Sequence, residues 1–279
     1  MIRPTLLVVF AAVCFTTAPA RATLTIDVSY TGDPLFEPYF AAAATTWQNL
    51  LVGYQDGAIQ AVSSGSSYIG GFVGDPLTTV YITAQVSPID GPGMILGSAG
   101  PTEVALDAAN YILATDGEMT FDSADAANLV SAGSFGNVVL HEMAHVLGFG
   151  TLWTNNNVAS VGTGEFTGPN ATAYWQSEFG QTGTPDVELD GGPGTANGHW
   201  NENLGGAGLV GITSVDGDLR NELMTGWLNS PTFISDMTIA SFIDIGFTTI
   251  VAPVPEASGF LAMGMVFASV AAKRRRPAA

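Results

Sequence analysis

Residues 141–145 read His141-Glu142-Met143-Ala144-His145. On a helix, side chains four positions apart lie on one face, one turn from each other. Two imidazoles so placed can grip one zinc ion. The carboxylate beside them, Glu142, can take a proton from a water that the zinc has acidified. The flanking Val138, Val139, Leu140, Ala144, Val146 and Leu147 make this a buried helix, where unpartnered imidazoles would be costly.

Zinc needs more than two protein ligands. The chain has three His, and the third, His199, sits in the glycine-rich stretch Gly191-Gly-Pro-Gly-Thr-Ala-Asn-Gly-His-Trp-Asn-Glu-Asn203. Two carboxylates compete with it for the third position: Glu178 in Tyr174-Trp-Gln-Ser-Glu178, and Asp186 in Gly183-Thr-Pro-Asp186. His199 leads, because the site lacks a ligand and there is no spare histidine. Gly148 is a good helix terminator that could turn the chain back toward the metal. Downstream, Arg220-Asn-Glu-Leu-Met-Thr-Gly226 sets Met224 in a turn. Trp153, Trp200 and Trp227 are either core or groove lining, and Arg220 suits an ion pair with Asp218 or Glu222.

The pattern His-Glu-x-x-His-x-x-Gly, a later His and a methionine turn resembles that of the metzincin metallopeptidases. The closest likeness is to the bacterial type of leishmanolysin-like enzyme. In that group a long insertion separates the glycine from the third His, as between Gly148 and His199 here. In most metzincins the third His would stand at Thr151. Met119-Thr-Phe-Asp-Ser-Ala-Asp125, Gly198-His-Trp200, Glu222-Leu-Met-Thr-Gly226 and Thr238-Ile-Ala-Ser-Phe-Ile-Asp-Ile-Gly-Phe247 also look similar to that group. The resemblance runs over roughly residues 24–250. It implies zinc ligands His141, His145 and His199, the general base Glu142, and Met224 as an apolar floor that does not bind the metal. The implied activity is a zinc-dependent endopeptidase acting on protein or peptide substrates. The competing class is a non-catalytic envelope or matrix protein on the same fold; an intact Glu142 favours the enzyme. Eukaryotic leishmanolysins are rich in disulfides, whereas this chain has one Cys, so stability must come from the core.

The elements that must position these residues are legible in outline. Hydrophobic residues at 47% and charged residues at 11% describe a globular chain with a sizeable core and exclude a disordered one. Thr23–Tyr30 alternates as a strand does, and Asp33-Pro34 can open a helix to about Leu51, with Phe36, Phe40, Ala43, Ala44 and Trp47 on one side. Residues 63–74 read as a Gly/Ser-rich loop, Thr78–Val86 as a strand, Asp90–Gly93 as a turn and Glu118–Phe121 as a short strand. Asp122 can N-cap a helix over Ser123–Ser131. The histidine-bearing helix spans about Phe135–Leu147. Residues 151–220 are loop-rich, with a short helix near Ala171–Phe179, and Ser235–Ile245 is the last helix. The expected class is α+β: an N-terminal lobe with a twisted mixed sheet and two long helices, and an irregular C-terminal lobe closing an active-site cleft.

The net charge is −18, and six of the seven bases lie in the terminal segments, leaving Arg220 alone in the body. Such a body repels nucleic acid and anionic lipid and suits neutral or cationic substrates. Residues 1–22 read as a secretory signal: Arg3, an apolar Leu6–Phe15, and Ala20-Arg-Ala22 before a cut at Thr23. Cys14 falls within it, so the mature chain has no cysteine. That leaves a catalytic domain over 23–252. Residues 253–279 hold Pro255-Glu-Ala257, an apolar run to Ala272 and the cluster Lys273–Arg276. They resemble a PEP-CTERM sorting signal, with Pro-Glu-Ala in place of Pro-Glu-Pro. This implies transient membrane contact, cleavage by an exosortase-type enzyme, and secretion or envelope association in a Gram-negative bacterium. A permanent anchor is the alternative, although the apolar run is short for a span.

Overall fold

The computed structural model describes residues 23–57, 59–60, 77–202 and 211–255. The expected secretory signal, the Gly/Ser-rich loop at 63–74 and the sorting segment past residue 255 lie outside them.

Alternating apolar residues build the first strand, β1 (Thr25–Tyr30), whose Ile26 is buried. The helix α1 (Glu37–Leu50) follows and buries Phe40, Ala43, Ala44 and Trp47, an i, i+3, i+4, i+7 stripe. Two short strands come next, β2 (Leu51–Tyr54) and β3 (Ile59–Gln60), then three long ones, β4 (Thr79–Ser87), β5 (Gly97–Asp107) and β6 (Ile112–Asp122). The main sheet runs β1-β4-β6-β5-β3. The β1–β4 and β4–β6 pairs are parallel; β6–β5 and β5–β3 are antiparallel. The expected short strand at 118–121 is therefore the end of an 11-residue strand, and β5 has no counterpart among the sequence expectations. The residues of its first half, Gly97 to Thr102, are small or polar, include Pro101 and locally favour no strand. The ladder to β6 holds it, and the register shifts at Pro101 and Glu103, where the missing N–H is accommodated.

Helix α2 (Ser123–Ser131) begins where expected, with the Asp122 carboxylate accepting from the Ala124 N–H. Helix α3 (Phe135–Val146) packs on β5 and β6 on one side and α1 on the other. The Trp47 indole N–H donates to the Leu140 carbonyl at 2.9 Å, locking α1 to α3. Phe36, Tyr39, Phe40 and Phe121 surround Phe135 in the core between them.

Beyond α3 the chain is mostly irregular, with α4 (Pro169–Glu178) and α5 (Asp236–Asp244) as its α-helices among the described residues, and a closing strand β7 (Phe247–Thr249) that pairs with β2. A second aromatic core fills this region: Phe149, Trp153, Phe166 and Trp200 are mutually packed and fully or almost fully buried. The two helices cap each other. Asp244, at the end of α5, accepts from the Asn170 and Ala171 N–H groups that open α4. Glu178, at the end of α4, accepts from the Asp236 and Met237 N–H groups that open α5. Each carboxylate satisfies N–H groups that a helix start otherwise leaves unpaired. The molecule is thus α+β, with a mixed open sheet and five helices among the described residues.

Candidate metal centre

Helix α3 presents His141 and His145 one turn apart, as their spacing requires. It ends at Val146, with Leu147 as the C-cap, and Gly148 leaves it with φ 113°. The turn that follows brings Gly150 against the stretch before His199. A Cβ on Gly150 would lie 2.3 Å from the Gly198 carbonyl oxygen and 2.7 Å from its Cα. Only a glycine permits this backbone approach, and Gly150 also has φ 72°. The third imidazole is thereby set beside the first two.

The Nε2 atoms of His141, His145 and His199 lie 3.0 Å from one another in all three pairings. Each ring's other nitrogen faces a backbone carbonyl: His141 Nδ1 to Leu223 at 2.7 Å, His145 Nδ1 to Phe149 at 2.8 Å, His199 Nδ1 to Thr195 at 2.8 Å. A carbonyl can only accept, so each Nδ1 carries the proton and each Nε2 offers a lone pair. Three lone pairs then converge on one point. Burial disfavours the imidazolium at all three rings, and at His145 and His199 the neighbouring histidines add to it. His199 is driven down to about 3. Neutral imidazoles with their far nitrogen tied to a carbonyl are what a divalent transition metal takes as ligands. Nitrogens held tetrahedrally by zinc at about 2.0–2.1 Å stand roughly 3.3 Å apart, close to the separation here. The three histidines can hold a metal ion, and among the described residues they form the one such group of three or more His, Cys, Asp or Glu.

Glu142 is buried beside the cluster, and burial pushes its carboxyl up to about 8. Its carboxylate presses on Gly97, the first residue of β5; a Cβ there would stand 2.9 Å from Oε1. Both lie on a cleft of about 1060 Å³ that also takes in all three histidines. Ile89, Met94, Leu96, Leu223, Trp227 and Leu228 are among its apolar lining residues. Thr151 lines the cleft too, and its hydroxyl donates to the His145 carbonyl at 2.6 Å.

Met224 is fully buried and does not line the cleft. The turn that carries it is tied to the site: the preceding carbonyl, of Leu223, holds His141, and Met224's own carbonyl accepts from the Trp200 N–H at 3.0 Å. The carboxylate of Glu222 fixes this turn. Buried within the fold, it accepts from the Met224 N–H, the Ser235 N–H and the hydroxyls of Ser235 and Thr238. Thr238 Oγ1 in turn accepts from the Trp200 indole at 2.8 Å.

The rival ligands stand elsewhere. Glu178 caps α5, and Asp186 pairs across a bridge with Glu165; neither belongs to the cluster. Arg220 pairs with Asp218 at 2.9 Å, while Glu222 has its own donors. Trp153 and Trp200 are core, and Trp227 is the tryptophan that lines the cleft. Sequence reasoning did not single out Gly97, Gly150, Thr195 or the turn-holding role of Glu222. The last had a signal, since Glu222 opens the Glu-Leu-Met-Thr-Gly stretch; the glycines had none. No protein-family model matches this chain, and no curated protein matches it either.

Proposed function

We propose that the protein is a zinc-dependent endopeptidase of the metzincin type, with His141, His145 and His199 holding the metal and Glu142 as general base. One observation carries this reading: three imidazoles, His145 and His199 buried and His141 partly so, aim unprotonated Nε2 atoms at one point in a cleft, with a carboxylate next to them. A three-His set leaves a coordination position for substrate or water, as catalytic zinc sites do and structural ones do not. Zinc held by these three histidines would supply a Lewis acid for the scissile carbonyl and would lower the pKa of a water. Glu142 would serve as the base that accepts a proton from water and returns one to the leaving amine. Leu223, Phe149 and Thr195 orient the rings through their carbonyls. The mixed sheet with α3 across it and the buried Met224 turn support the metzincin assignment. A retired enzyme on this fold would have no use for Glu142 on the cleft floor.

The same reading takes residues 1–22 as a secretory signal and 253–279 as a PEP-CTERM-like segment that an exosortase-type enzyme removes after transient membrane contact. It places the mature protein outside the cell or at a Gram-negative envelope. An intact mass that still includes residues 257–279 would replace sorting by permanent anchoring.

The deciding experiment is zinc quantification together with casein hydrolysis. Wild type should carry one zinc per chain and cleave casein. Glu142→Ala should keep the zinc and lose about 10²–10⁴-fold in rate. Zinc in full stoichiometry without hydrolysis of any peptide in a broad library would favour the non-catalytic protein.

A further inference from the structure

The Phe121-Asp-Ser-Ala-Asp125 stretch does not touch the metal cluster, yet its two carboxylates are spent on one segment of the cleft wall. Asp122 Oδ2 accepts from the Asp90 and Gly91 N–H groups, both at 2.9 Å, while its Oδ1 caps α2. Asp125 accepts from the Gly93 N–H with both oxygens, at 2.9 and 3.0 Å. The Asp122 N–H donates to the Leu96 carbonyl at 3.0 Å. Both carboxylates are buried. Leu96 packs against the core at one end of this segment, while its tip stands open. Met94 has φ 64° and its side chain is 91% exposed; Ile95 is exposed as well. Ile89, Met94, Ile95 and Leu96 all line the cleft, and the next residue is Gly97, against Glu142. A loop in left-handed conformation with open apolar side chains does not hold its shape by burial. Charge-assisted hydrogen bonds to its backbone do that instead.

We infer that Asp122 and Asp125 are positioning residues for substrate: they set the 89–97 wall of the cleft and act on peptide binding through it. This rests on the peptidase reading for its substrate, though the positioning itself does not. Asp125 is the residue to test, because Asp122 also caps a helix.

Asp125→Ala and Asp125→Asn should be compared as full chains with zinc bound, by amide hydrogen exchange over residues 89–97 and by KM and kcat on one peptide. In Asp125→Ala the Gly93 amide should exchange at least about tenfold faster and KM should rise by a similar factor, the worth of one hydrogen bond to a charged group. Zinc content and kcat should stay within about threefold. Asp125→Asn keeps one acceptor oxygen and should recover most of both effects. Unchanged exchange in Asp125→Ala overturns the inference, whatever the activity. Faster exchange with unchanged KM also overturns it, by detaching the wall from the substrate. Equal losses of zinc, kcat and fold would mean a purely structural role and overturn it too. A wild type that cleaves no peptide sinks the peptidase reading, and exchange then still decides whether Asp125 holds the loop.

Discussion

Residues 25–146 and residues 147–255 each bring histidine to one cluster, and they fix it by different means. In the first region His141 and His145 ride on α3, which is clamped between α1 and the sheet by periodic apolar side chains. Many contacts share that work. In the second region His199 sits in a loop whose place depends on a few specific events: the Gly150–Gly198 approach, the Thr195 carbonyl, the Trp200–Met224 bond and the Glu222 network. Apolar packing degrades gradually when one contact is lost, whereas a buried polar network fails when one partner leaves its donors unsatisfied.

The sharpest way to break this comparison is to delete one buried group on each side. Glu222→Ala strands up to four donors, and its cost should be on the order of 3 kcal/mol or more. Zinc affinity should fall with stability, because the Met224 turn and Trp200 both move. Val80→Ala, at a fully buried position near the start of β4, should cost about 2 kcal/mol and leave zinc affinity of the folded protein unchanged. Urea unfolding with chelator competition measures both. If the two variants lose affinity alike, the regions do not differ in the way described.

Gly150→Ala tests the loop without removing a polar group. The added methyl must push Gly198 away, and overpacking of this kind costs about 1–3 kcal/mol. Zinc affinity should drop about tenfold or more, with far-ultraviolet circular dichroism unchanged. Affinity equal to wild type would mean that the loop finds His199's position by another route.

The smallest effect belongs to Glu178. Burial, aided by the charges of Asp236 and Glu222, raises its carboxyl from 4.5 to about 7. A carboxyl with a higher pKa in the folded chain binds its proton more tightly there than in the unfolded chain. Its contribution to stability is therefore full below about pH 4.5 and is lost as pH rises through about 7. Glu178→Gln removes that dependence, so the variant should gain on wild type in Tm between those limits. Parallel Tm curves would show that the group titrates normally.

This contrast also explains what the chain reveals before folding. α1 and α3 follow from period, and α2 from its Asp122 cap, because those signals are local. β5 does not, since Gly97, Ser98 and Pro101 favour no strand and only pairing with β6 makes one. Two members of the histidine cluster are legible from spacing alone, and His199 from the scarcity of histidine. Gly97 and Gly150 matter only through atoms that other segments bring to them, the Glu142 carboxylate and the Gly198 backbone. Glu222 stands next to Met224 in sequence, but its value comes from Ser235 and Thr238, which arrive with α5.

The paired capping of α4 and α5 has a mechanical consequence. Asp244 accepts not only from the α4 backbone but from the Asn170 side-chain amide at 2.7 Å, and the other end of that amide, Oδ1, accepts from the Val254 N–H at 2.8 Å. The Tyr174 hydroxyl of α4 donates to the Ala252 carbonyl. The chain thus leaves the body as a strap buckled to α4, and α4 is buckled to α5. Tension on whatever follows residue 255 would enter at Val254 and pass through Asn170 to Asp244. Neither helix could peel off without exposing the other's first turn. The load would be shared across the pair of helices.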